Sequence, residues 1–146
     1  MIAEQLTYIY LNCETWHKTK LSEHEANLYH ERLLMQGNIL TYVREGVLLG
    51  YLEYWRINTE QLGRIICNIP ILTDIEDINN GPIAYINSMY IDPDYRNGEA
   101  FEMLGTMFLV KNRDAKVFVA CRNLKHNKPV QVYSRADLIR LYTKGV

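Results

Sequence analysis

The stretch of this chain best suited to chemistry is Tyr85-Ile86-Asn87-Ser88-Met89-Tyr90-Ile91-Asp92-Pro93-Asp94-Tyr95-Arg96-Asn97-Gly98. A strand-like run stops at Asp92-Pro93, because proline lacks an N–H and restricts the residue before it. Asn97-Gly98 then opens a helix expected from Glu99 to Lys111. A helix N-terminus carries unpaired backbone N–H groups and a partial positive charge. A pyrophosphate placed there meets several donors at once. Other chemistry lacks its motif. Ser22, Ser88 and Ser134 have no G-x-S-x-G surroundings. There is no G-x-x-x-x-G-K-[ST] loop for a nucleoside triphosphate, and no paired Asp or Glu spacing suggests a glycosidase. His17, His24, His30 and His126 form no H-E-x-x-H or other zinc pattern, so no metal is expected.

The elements that must position this segment follow from periodicity. Residues 2–17 set Ile2, Leu6, Ile9, Cys13 and Trp16 on one helical face, and this helix is expected to stop near Thr19. Ser22 and Glu25 form a capping box for a second helix, which carries the stripe Ala26, Tyr29 and Leu33. Gly37 ends it in the left-handed conformation. Period two begins at Ile39. Glu45-Gly46 turns the chain, and Val47 to Ile57 completes an antiparallel hairpin. Gly50 marks a bulge or a close backbone approach. Arg64 to Ile71 reads as a third strand ending at Pro70, and Thr73 to Gly81 as an exposed acidic loop. Strict alternation over Ile83 to Ile91 puts Ile83, Tyr85, Asn87, Met89 and Ile91 on one side. The helix over Glu99–Lys111 is apolar nearly all round, which predicts burial on more than one side. Strands over Lys116–Cys121 and Val130–Tyr133 follow. Ser134 with Asp137 caps a last helix closed by Gly145. This order predicts one α/β domain over residues 1–146, an α+β mixed sheet with a β-α-β unit.

The run Ile91-Asp92-Pro93-x-Tyr95-Arg96, its loop and helix, and the hairpin with Val47-Leu48-Leu49-Gly50-Tyr51 together resemble the GNAT family of N-acetyltransferases. The resemblance covers roughly residues 20–121 and implies the GNAT-like acyl-CoA N-acyltransferase fold. It implies acetyl-CoA as cofactor, with its pyrophosphate on Arg96, Asn97, Gly98, Glu99, Ala100 and Phe101. The pantetheine arm would lie on Met89, Tyr90 and Ile91, where the family's strand splays from its neighbour. The family loop runs Arg/Gln-x-x-Gly-x-Gly/Ala. Counted from Arg96, its small positions hold Glu99 and Phe101, while Gly98 and Ala100 stand one residue early. A one-residue deletion restores them; otherwise the Glu99 carboxylate occupies the anion site itself. The family usually follows the strand that ends here at Cys121 with a helix and a further hairpin, whereas only about 25 residues remain after Cys121 in this sequence, and it often opens with a strand rather than a helix. For catalysis, Glu53 is the candidate base, with an exposed strand glutamate as the structural alternative. Tyr133 stands roughly where the family has a tyrosine that protonates the CoA thiolate, with a packed tyrosine as its alternative. The implied function is an acetyl-CoA-dependent N-acetyltransferase, in which an amine attacks the thioester and backbone N–H groups of Met89–Ile91 hold the carbonyl oxygen. The alternative is an inactive GNAT-like protein that binds another protein or nucleic acid.

Composition bounds the rest. A chain of 146 residues that is 48% apolar can bury a core, and its 11 tyrosines are expected half-buried on sheet faces. Cys13, Cys67 and Cys121 are odd in number and far apart, so reduced thiols are expected. Without a signal peptide or a long apolar run, the chain reads as cytoplasmic and not membrane-bound. The net charge of −1 argues against a general polyanion binder, although the last third is locally basic from Lys111 to Lys144. Nucleic-acid affinity is accordingly expected to be weak or absent at about 0.15 M salt and to appear only at low salt, where phosphate contacts release counterions. A tight, salt-resistant complex in a filter-binding titration would contradict this.

Overall fold

A computed structural model describes residues 2–13, 21–66, 79–96, 98–121 and 130–143. The elements are α1 (Ile2–Asn12), α2 (Glu23–Gln36), β1 (Ile39–Arg44), β2 (Val47–Ile57), α3 (Thr59–Ile66), β3 (Ile83–Ile91), α4 (Glu99–Lys111), β4 (Val117–Cys121), β5 (Val130–Tyr133) and α5 (Arg135–Thr143). The sheet runs β1-β2-β3-β4-β5. All neighbours are antiparallel except β3 and β4, which α4 joins as a parallel crossover. Helices cover both faces. Leu6, Leu33 and Ile65 of α1, α2 and α3 pack on Tyr51, Trp55 and Tyr85. Leu104, Phe108 and Leu138 of α4 and α5 pack on Leu52, Tyr54 and Phe118 on the other face.

Local signals in the sequence set most boundaries. Ser22 and Glu25 form the expected reciprocal capping box, and Gly37 ends α2 at φ 75°. Asp137 N donates to Ser134 Oγ and Ser134 N to Asp137 Oδ2, which starts α5. Gly50 is both things its place in a strand suggested. The β1–β2 register slips between Tyr42 and Val43, leaving Leu49 as the extra residue. A Cβ on Gly50 would sit 3.0 Å from the Tyr90 carbonyl oxygen.

Three expectations need correction. The segment from Arg64 belongs to α3 rather than to a third strand, because Asn58 and Gln61 exchange backbone bonds at its start as a capping box does. Residues 67–78, with Cys67 and Pro70, lie outside the described residues, as do Trp16, Thr19 and Gly145. Gly81 is buried rather than exposed, since a Cβ there would overlap the Ile57 backbone. Strict alternation in β3 breaks where the β2–β3 register slips between Glu53 and Tyr54. The expectation for α4 holds, since it is covered on more than one side. Ala100, Leu104 and Phe108 face the sheet and Phe101 and Gly105 face α5, while Met103, Met107 and Val110 stay exposed. No helix among the described residues is long and apolar enough to cross a membrane.

One contact in the α4–α5 layer is unusually tight. The buried Tyr142 ring lies directly on Gly105, so that a Cβ there would overlap it. Helix preference alone favours alanine over glycine by about 1 kcal/mol. Overpacking a closed site costs about 1–3 kcal/mol. Gly105→Ala should therefore lower the urea midpoint of unfolding. An unchanged or raised midpoint would contradict this packing account.

Candidate active site at the open end of strand β3

Among the described residues, β3 and β4 pair only from Ile83↔Val117 to Ile86↔Ala120. Cys121 already pairs with Val130 alone. Asn87 to Ile91 therefore run on with β2 on one side, from Ser88↔Glu53 to Ile91↔Gly50. The bulge sits where the β4 pairing ends. It turns both Asn87 and Ser88 toward the α1–α2 face, where Asn87 Nδ2 donates to Glu53 Oε2 and Ser88 Oγ pairs with Tyr51 OH at 2.9 Å. Beyond it the phase is reset. Met89 and Ile91 pack on the α4 side and Tyr90 on the α1–α2 side.

Glu53 is not an exposed strand residue; it is 5% exposed. Its Oε2 accepts from Tyr29 Oη at 2.7 Å, Asn87 Nδ2 at 2.8 Å and Trp55 Nε1 at 3.0 Å. These donors, from α2, β3 and β2, offset the cost of burying the carboxylate. Sequence reading missed Tyr29 and Asn87 as partners. The available signal was a polar Asn87 in the middle of an apolar central strand.

The loop that follows is held mainly through Arg96. Its Nε donates to the Ile91 carbonyl at 2.7 Å, and its guanidinium lies 5.8 Å from the Tyr90 ring centroid. Asp92 Oδ1 accepts from Asp94 N and shapes the short 3-10 turn over Pro93–Tyr95. Gly98 then adopts φ 101°, a left-handed conformation that glycine alone takes without strain. No side-chain hydrogen bond from Gly98 caps α4, whose first backbone bond runs from Glu102 N to Gly98 O. Ala100 is 1% exposed and lies against the sheet. Phe101 turns to α5, its ring 4.9 Å from that of Tyr142. Glu99 leans to β1, where its Oε1 accepts from Arg44 Nη2 at 2.9 Å and from Tyr42 Oη at 3.4 Å. Asn97 lies outside the described residues. A shallow cleft lined by Arg44, Glu45, Val47, Leu49 and Tyr95 borders this end of the molecule.

The structure thus gathers Glu53, Met89, Tyr90, Ile91, Arg96 and Gly98–Phe101 around one end of β3. It does not bring Tyr133 to Glu53. Tyr133 pairs with Phe118 and packs on the α4–α5 face, near Tyr142, whereas Glu53 lies on the opposite face. No group of three or more His, Cys, Asp or Glu among the described residues could hold a metal ion.

Tyr90 carries a testable electrostatic signature. Burial, and then the neighbouring Cys13 thiol, push its hydroxyl from an ordinary value of 10.0 up to about 12. The neutral form is thus favoured in the folded state. The resulting stability is fully present below about pH 10 and is lost as pH rises toward about 12. Tyr54 and Tyr142 are also raised by burial, so the wild type has several such groups. Denaturant titrations in that window should show a shallower alkaline loss for Tyr90→Phe than for wild type. Equal slopes would contradict the shift.

Neither known sequence families nor curated proteins yield a match to the chain. Solved structures do. The GphF GNAT-like decarboxylase, in complex with isobutyryl-CoA, matches with a TM-score of 0.59 at 15% identity, over 86% of this chain and 65% of that one. The loading GNATL domain of CurA from Lyngbya majuscula matches at 0.58 and 17% identity, over 85% and 63%. The yncA protein of Salmonella typhimurium, with its cofactor acetyl-CoA, matches at 0.52 and 17%, over 96% and 68%. The chain spans slightly less than two thirds of the first two. Identity this low carries the fold and not the activity. Five strands in this order, the β3–α4–β4 crossover and these superpositions give the chain the GNAT fold.

Proposed function

We propose that this chain binds a CoA thioester and transfers its acyl group to an amine. The observation that carries the reading is the end of β3. Among the described residues, Ser88–Ile91 pair on one side only and lead on toward a left-handed glycine and a helix N-terminus. An extended amide chain such as pantetheine can complete the open strand edge, and a pyrophosphate suits the helix start. The neighbours with isobutyryl-CoA and acetyl-CoA support a CoA thioester of this kind in the fold.

In this reading the amine nitrogen attacks the thioester carbonyl carbon. Backbone N–H groups of Met89–Ile91 stabilise the charge that develops on the carbonyl oxygen. The carbon–sulfur bond breaks, CoA leaves as thiolate, and the proton lost by the amine passes to the Glu53 carboxylate. We assign Tyr133 a packing role and leave the thiolate to take its proton from solvent.

Calorimetry with CoA and acetyl-CoA tests the binding step. Heat of binding below millimolar ligand is expected, and Gly98→Val should abolish it by crowding the loop. No heat and no thermal shift at millimolar CoA would replace this reading with that of a GNAT-like protein binding another macromolecule. Thiol release from acetyl-CoA with a panel of amines tests the chemistry. Glu53→Gln keeps an oxygen that can accept from Tyr29, Trp55 and Asn87, yet loses the base. It should lower kcat about 10²-fold or more. Wild-type turnover in that variant would remove Glu53 from the role.

A further inference from the structure

A carboxylate at Glu99 stands where two phosphates would have to sit close by, and the structure shows what becomes of it. Glu99 is the first residue of α4, where a side-chain carboxylate is drawn to the helix's own positive end. Instead its Oε1 is engaged by two side chains of β1, more than fifty residues away: Arg44 Nη2 at 2.9 Å and Tyr42 Oη at 3.4 Å. The guanidinium is itself fixed, lying 5.5 Å from the centroid of the Tyr42 ring. Tyr42 is buried in the sheet, so it offers a rigid platform. We infer that Arg44 is a cofactor-positioning residue, which holds the Glu99 carboxylate on β1 and so keeps the pyrophosphate seat at the start of α4 clear of negative charge.

The inference rests on the CoA-binding reading above and adds a residue to it. Without Arg44, β1 has no other cation to hold the Glu99 carboxylate, which stands on the first residue of α4 at that helix's positive end. The carboxylate would then compete with phosphate for the same backbone N–H groups. Arginine suits the task better than lysine. Its planar group can stack on Tyr42 and bind a carboxylate oxygen in a fixed direction.

Four proteins test this by calorimetric titration with CoA at low ionic strength: wild type, Arg44→Ala, Glu99→Gln and the double variant. The pair is 53% and 55% exposed, so the variants should fold, as thermal melts will check; Arg44→Gln serves if Arg44→Ala does not. Arg44→Ala should weaken CoA binding about fivefold, the upper scale of one exposed charge at a helix terminus. Glu99→Gln should bind CoA more tightly than wild type. The double variant should regain the affinity of Glu99→Gln to within about twofold, because the removed arginine then has no carboxylate to hold. A double variant as weak as Arg44→Ala would mean that Arg44 touches phosphate directly, which overturns the inference. So would wild-type affinity in Arg44→Ala. Wild-type protein that binds no CoA removes the functional reading and this inference together, whereas the other two results leave the reading standing.

Discussion

The structure turns on β3 having, among the described residues, a strand on one side only over Asn87–Ile91. Backbone N–H and C=O groups away from water need partners. A strand in the middle of a sheet ordinarily finds them on both sides, and an edge strand finds them in water. Asn87–Ile91 belong to a central strand, yet β4 bonds only to β5 at Cys121. Helices on both faces restrict what can reach the open edge. The Ile91 carbonyl is already satisfied by Arg96. The rest of the edge suits an extended chain with its own amides, which is why the proposal begins there rather than at a side chain.

The two bulges are part of the same device. The extra Leu49 in β2 brings Gly50 against the Tyr90 carbonyl, and the slip opposite Glu53 rotates Ser88 to the face that Asn87 already occupies. Together they put Tyr51, Glu53 and Ser88, all buried, and the half-buried Asn87 in one polar seam, beside the point where the β4 pairing ends. A buried carboxylate is costly unless several donors converge on it. The three donors on Glu53 come from three different elements, so the seam also ties α2 to the sheet at this end.

Much of this was legible in the chain, and what was not has identifiable causes. Caps announce themselves locally. Ser22–Glu25, Gly37, Glu45-Gly46 and Ser134–Asp137 all lie where short-range hydrogen bonding puts them. The same logic would have found α3, since Asn58 and Gln61 have capping-box spacing, but the β-branched run after Arg64 pulled the reading toward a strand. Bulges leave no periodic trace, so alternation assigned Met89 and Ile91 to the wrong face. The loop, β3 and Glu53 could be picked out as candidate site residues because each sits on or near one continuous segment or hairpin. Tyr29 and Arg44 could not, because what makes them relevant is a contact across 24 and 55 positions of sequence. Tyr133 was placed by its distance along the chain, and distance along the chain does not say which face of a sheet a residue takes.

The irregular loop is best understood through the physical demands on it rather than by counting positions. One demand is a backbone turn into the helix that L side chains resist, and Gly98 at φ 101° meets it. A second is a small residue where the first helical turn meets the sheet, and Ala100 at 1% exposure meets that. Both stand one residue earlier than a family pattern counted from Arg96 would place them, as a one-residue deletion produces. Phe101, which that count puts at a small position, turns out to pack at a tilt against Tyr142. Glu99, which the count puts at the other, falls between the two small residues and belongs to neither demand. Its charge is the one feature of the loop that opposes a phosphate, and it is also the feature that a distant arginine has taken up. Backbone geometry and local charge are therefore separable here. The first is preserved by Gly98 and Ala100 within the loop, and the second is corrected from β1.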